Sequence, residues 1–162
     1  MHYQPLDPAT RTALQALYGD LDDAIARAGP VCQLSGRCCR FQEYDHRLYL
    51  SELEAAYLIH TATPPLRPLD AGATCPWQDS KGLCTAREAR PLGCRVYYCD
   101  PHYHDEGPRL SELYIGQLKQ LTHATGRPWN YAPLHAHLAA ARATGQLAFP
   151  DTANPPSAIP DP

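Results

Sequence analysis

A small α+β fold, with helices packed around a loop-rich, short-stranded core, is predicted by three features of the sequence. Apolar residues recur at helical spacing near both ends of the 162-residue chain. The middle is rich in proline, glycine and short polar residues, which favour turns and brief strands. Leu, Ile, Val and Phe together make up only about 17% of the chain, less than a well-filled core usually carries. The net charge of −3 is too small to hold a chain unfolded by self-repulsion. The fold therefore needs a staple besides apolar burial, and seven cysteines are present to supply one.

Taken in order, Asp7-Pro8 opens the first helix, with Asp as the cap and Pro in the first helical position. Leu14, Leu17, Leu21 and Ile25 share one face, and Gly29-Pro30 stops the run, which predicts a helix over Pro8–Ala28. Asp20, Asp22 and Asp23 near its middle read as a solvated acidic face. The segment CQLSGRCCRF then brings Cys32, Cys38 and Cys39 together, its glycine and small polar residues allowing a tight fold. Residues 46–50 suit a short strand. Ser51 and Glu54 form a capping box that opens a short helix with Leu53, Ala56 and Tyr57 on one side. Capping accounts for both residues without a catalytic role. Residues 61–74, TATPPLRPLDAGAT, form a proline-rich connector.

The central stretch, residues 75–99, reads CPWQDSKGLCTAREARPLGCRVYYC and carries Cys75, Cys84, Cys94 and Cys99. Asp79-Ser80-Lys81-Gly82 predicts a hairpin turn returning the chain to Cys84. Residues 86–90 fit one helical turn ended by Pro91, and Val96, Tyr97 and Tyr98 a short apolar strand. In Asp100-Pro101-His102-Tyr103-His104-Asp105 the simplest reading is an exposed turn, with His102 the better candidate for an extra ligand. Leu110, Leu113, Tyr114, Leu118 and Leu121 mark an amphipathic helix over residues 109–125, stopped by Gly126. Residues 129–131 suit an extended piece. A last helix begins at Pro133, with Leu134, Leu138 and Ala141 inward and Gly145 at its end. His135 and His137, two apart, point different ways on a helix and do not suit one metal. The expected organisation is one domain over residues 1–148, with metal segments 32–40 and 75–104, and a flexible proline-rich tail over 149–162.

Thiolates are soft, strongly donating ligands, and gathering them suits zinc, iron–sulfur clusters or copper(I). Disulfides fit less well. The N-terminus lacks a basic segment followed by an apolar one, so no export signal is read, and no apolar run is long enough to span a membrane. The expected location is the cytoplasm, where thiols stay reduced. An odd number of cysteines with two adjacent ones also suits a bridge framework poorly. The expected metal ligands are Cys32, Cys38, Cys39, Cys75, Cys84, Cys94 and Cys99. Five arginines, Arg37, Arg40, Arg87, Arg90 and Arg95, sit in the same segments, where guanidiniums offset thiolate charge and donate to sulfur. Net negative charge without a basic tract argues against nucleic acid as a partner.

These residues carry a family resemblance. Cys32-x-x-Ser35-Gly36-Arg37-Cys38-Cys39-Arg40 resembles the C-x-x-C-G-x-C-C-R signature of the YkgJ-like CxxCxxCC cysteine-cluster proteins. Downstream, Cys75-Pro76, Gly82-Leu83-Cys84 and Arg90-Pro91-Leu92-Gly93-Cys94-Arg95-Val96-Tyr97-Tyr98-Cys99 are similar to that family's CP…C…RPxxCRxxxC pattern. The resemblance covers less than half the chain. It implies a zinc- or iron-chelating domain of bacterial proteins, one branch of which includes flagellin lysine N-methylases. Ser35 departs from the pattern, standing where the family has cysteine. Seven thiols cannot fill two four-cysteine sites, so one site takes another donor or the chain holds one complete site with spare thiols.

Three functions follow as expectations. The first is a metal-binding module for zinc or iron that presents a surface to a protein partner. The second is an iron–sulfur enzyme with redox or methylase-like group-transfer activity; Cys75-Pro76 is like the Cys-Pro of some cluster-binding loops. The third, a redox sensor built on Cys38-Cys39, ranks last because adjacent cysteines make only a strained bridge. The sequence identifies no catalytic residue.

Overall fold

Asp7 caps the first helix as its sequence requires: its carboxylate accepts from the Thr10 backbone N–H at 3.0 Å. In this computed structural model, which describes residues 2–151, helix α1 spans Pro8–Ala28 and ends at Gly29 in the left-handed region, φ +69°. Strand β1 (Tyr49–Ser51), helix α2 (Glu52–Thr61), helix α3 (Leu92–Val96), helix α4 (Glu106–Ala124), strand β2 (Tyr131–Pro133) and helix α5 (Leu134–Ala143) follow. The two strands pair antiparallel with Leu50 opposite Ala132. The result is a small α+β fold of five α-helices and one two-stranded sheet. Within the expected tail, residues 152–162 lie outside the described residues.

The core sits where α1 packs on α4 and α2 on α5. Leu14, Leu21, Leu50, Leu53, Leu110, Leu118 and Leu138 are wholly buried there. Burying side chains of this size contributes on the order of 1.5–3 kcal/mol each. Helix α2 runs through the middle of it, and residues 53–59 are all buried rather than only Leu53, Ala56 and Tyr57. In α4 the predicted stripe holds except at Leu113, which is 49% exposed. The helix also starts at Glu106, before the predicted residue 109. Pro108 is tolerated because the first-turn N–H groups have no intrahelical partner.

Val96 belongs to helix α3, not to the strand expected over residues 96–98. The cause is Glu54, which is 1% exposed. Its Oε2 accepts from Ser51 N–H at 2.9 Å, completing the predicted capping box. Its Oε1 accepts from the Leu92 N–H at 2.8 Å and from the Tyr18 hydroxyl at 3.0 Å. One buried carboxylate therefore serves the first turns of two helices and ties α1 to both. Pro91 supplies no side-chain cap for α3, so its first N–H is satisfied from α2. Arg95 points from α3 back to α1, reaching Asp22 at 2.6 Å and lying over the Tyr18 ring. Asp22 is thus an ion-pair partner, not simply a member of a solvated acidic face.

The residues before α1 are pinned across the fold. Tyr3, 1% exposed, donates its hydroxyl to His137 Nδ1 at 2.9 Å, while His137 Nε2 donates to the Leu50 carbonyl at 3.0 Å. A carbonyl only accepts, which fixes the proton on Nε2. His137 is a core residue here, and His135 lines a different cavity, so the two do not share a site.

A cysteine-lined cavity as the candidate metal centre

Gly36 sets the geometry of the first cysteine segment. Its φ of +69° reverses the chain into a 3-10 turn over Arg37–Cys39. A Cβ at this position would stand 2.5 Å from the Gly82 carbonyl oxygen, so only glycine allows the two cysteine segments to approach this closely. Gln78, fully buried, joins them: its Nε2 donates to the carbonyls of Gly36 at 3.0 Å and Gly82 at 3.1 Å. The Cys75 N–H donates to the Cys39 carbonyl at 2.8 Å. The predicted turn after Asp79 forms, with Gln78 and Cys84 bridging antiparallel across it. Its Asp79 carboxylate accepts from the N–H groups of Lys81 and Leu83, each at 2.8 Å.

All seven cysteines are free thiols, and all seven line one cavity of about 80 Å3. Five of them, Cys38, Cys39, Cys75, Cys84 and Cys94, act on one another and are taken together as the inner group. Cys38, Cys75 and Cys84 all act on the Cys39 thiol, and half-buried Cys94 feels Cys75, Cys84 and Cys38. The neighbouring Cys39 thiol lowers Cys38 to about 7 and Cys84 to about 6. Cys39 itself is pushed up, first by Cys38, then by Cys75 and Cys84. Burial, followed by the neighbouring sulfur charges, raises Cys94 well above the usual thiol value. These opposed directions are those of a cluster of sulfurs too close together to ionise independently.

Cys99 and Cys32 line the cavity outside that group. The Ser35 hydroxyl is 3.7 Å from the Cys99 sulfur, and Cys32 is exposed beside them. Asp100 fastens this edge, accepting from the Val31 N–H at 2.9 Å. Of the five arginines, Arg37, Arg87 and Arg90 line the cavity, and Arg90 acts on Cys38, Cys84 and Cys94. Arg40 instead bonds the Ser35 carbonyl and Glu43, and Arg95 the α1 contacts described above. His102 and His104 are exposed on the 3-10 turn Pro101–Tyr103 and just after it, and neither lines the cavity.

Among the described residues, no group of three or more His, Cys, Asp or Glu side chains is placed so that it could hold a metal ion. The sulfurs share a wall without having closed on one point. The donor set nonetheless suits a thiophilic metal: soft sulfurs, no competing carboxylate in the lining, and guanidiniums beside them. Two contributors had no sequence signal of their own. Gln78 is one polar residue among many in a turn-rich stretch, and Glu54 looked complete as a local cap. Among the described residues no helix is long and apolar enough to cross a membrane. No family model, curated protein or solved structure matches the chain.

Proposed function

We propose that this chain is a cysteine-cluster metal-binding protein that takes zinc or iron, the iron alone or as an iron–sulfur cluster. The observation carrying this reading is that sulfurs from Cys32 to Cys99 all line one small cavity with three guanidiniums. The resemblance of the same residues to the YkgJ-like signature supports it. Cys38, Cys39, Cys75, Cys84 and Cys94 would hold the metal as the inner group, with Cys32, Cys99 and Ser35 outside it. Bound metal would supply the cross-link that a chain with so little Leu, Ile, Val and Phe needs, since such sites rarely preform in the unfolded state. A centre made of reduced thiols belongs in a reducing compartment, which favours the cytoplasm.

Ser35 favours a second reading. A hydroxyl in place of a thiolate leaves a weakly held position, the kind at which group-transfer or redox chemistry reaches a metal. The test is purification without oxygen, followed by elemental analysis and visible absorption. Stoichiometric zinc in colourless protein supports the module, and brown protein with iron and sulfide supports the iron–sulfur reading. Protein that takes up neither zinc nor iron refutes both.

A further inference from the structure

Behind the sulfur cavity lies a second cavity of about 430 Å3, at the lower end of the roughly 300–1,000 Å3 typical of small-molecule sites. Its walls are largely aromatic, and the rings are ordered against one another. His46 stacks on Tyr97 at 4.9 Å between centroids, and Tyr98 meets Tyr103 edge-on at 5.4 Å. Gly107 makes room for Tyr103, because a Cβ there would stand 2.9 Å from the ring. Tyr103 is 4% exposed, yet its hydroxyl has no hydrogen-bond partner. A buried hydroxyl left unpaired costs about 1–3 kcal/mol, so this one calls for an acceptor. His46 Nδ1 is a second buried polar atom without a partner. No carboxylate side chain lines the cavity. Arg47, exposed on its wall, makes no ion pair among the described residues.

We propose that this cavity binds a small aromatic carboxylate, its ring against Tyr97 and Tyr98 and its carboxylate taken by the Tyr103 hydroxyl and the Arg47 guanidinium. Aromatic walls select a planar ring. A phenol donor and an unpaired guanidinium select an anion over a neutral or cationic group. Cys38 and Cys94 belong to the walls of both cavities, so the bound ring sits beside the inner sulfurs. The proposal stands whether or not those sulfurs hold metal.

Sodium benzoate is the probe, titrated calorimetrically into the full chain, with benzylamine as the cationic counterpart. Benzoate should bind at one saturable site and benzylamine should not. Tyr103→Phe and Arg47→Gln should each weaken benzoate about tenfold or more, the loss expected for a hydrogen bond to a charged group. Tyr103→Phe keeps the ring and removes a buried, unpartnered hydroxyl, so its thermal midpoint should equal or exceed that of the unmodified chain. Absence of saturable benzoate binding, equal binding of benzylamine, or unchanged affinity in Tyr103→Phe would each overturn the proposal.

Discussion

The hydroxyl oxygen of Ser35 lies 3.7 Å from the sulfur of Cys99, so the serine that stands where the resembling signature has cysteine borders the cavity beside a thiol. A serine oxygen is a harder and weaker donor toward zinc or iron than a thiolate. Ser35→Cys should therefore hold metal more firmly, lengthening its loss to a competing chelator by about tenfold or more. Ser35→Cys protein that releases metal as fast as the unmodified chain would remove this position from the site.

Inner and outer thiols should respond differently to removal. Cys94 is half-buried and feels the charges of Cys75, Cys84 and Cys38, whereas Cys32 is exposed. Cys94→Ser is expected to lose metal and to lower the thermal midpoint by several degrees. Cys32→Ser is expected to keep the fold and most of the metal. Elemental analysis with a thermal melt of each variant decides this, and equal losses would contradict the division.

Gly36→Ala should be among the most damaging single changes in the chain. It adds a Cβ 2.5 Å from the Gly82 carbonyl oxygen and forces a side chain into φ +69°. Left-handed strain alone costs about 1 kcal/mol, and separating the loops breaks the Gln78 bridge as well. Gln78→Leu should loosen the same junction with Gly36 unchanged. Faster reaction of the inner cysteines with a thiol reagent in both variants is the expected readout.

Glu54→Gln is expected to destabilise the fold by about 1–3 kcal/mol, the cost of leaving buried donors unmatched. The carboxylate accepts from Leu92 and Tyr18 on one oxygen and from Ser51 on the other, and an amide nitrogen cannot accept. Urea unfolding measures the loss; an unchanged midpoint would mean that Glu54 does not hold α3.

Acid should weaken the anchor between the N-terminal segment and α5. Burial lowers the pKa of His137 below its usual 6.5, so between that value and the folded one the unfolded chain binds the extra proton. The resulting stability is present above about pH 6.5 and is lost as pH falls through this window. His137→Gln should flatten this part of the stability profile, and an identical slope in the variant would contradict it.

The sequence was most legible where local chemistry decides structure. Asp7-Pro8 and Gly29 bounded α1 to the residue, and Ser51 with Glu54 announced α2. Residues 96–98 read as a strand on apolar content alone, while the group that caps α3 sits 38 residues earlier in the chain. Leu113 misled because a periodic stripe does not say how wide the covering layer is. The cysteines could be named from composition and spacing, but their division into five inner and two outer ones depends on Gly36 and Gln78 holding distant loops together. That information is tertiary.

X-ray absorption at the zinc and iron edges of anaerobically purified protein tests the central claim most directly. The account predicts a first shell dominated by sulfur, at about 2.3 Å if the metal is zinc. A first shell of nitrogen and oxygen alone, or protein that carries no metal after reconstitution with either ion, would contradict it.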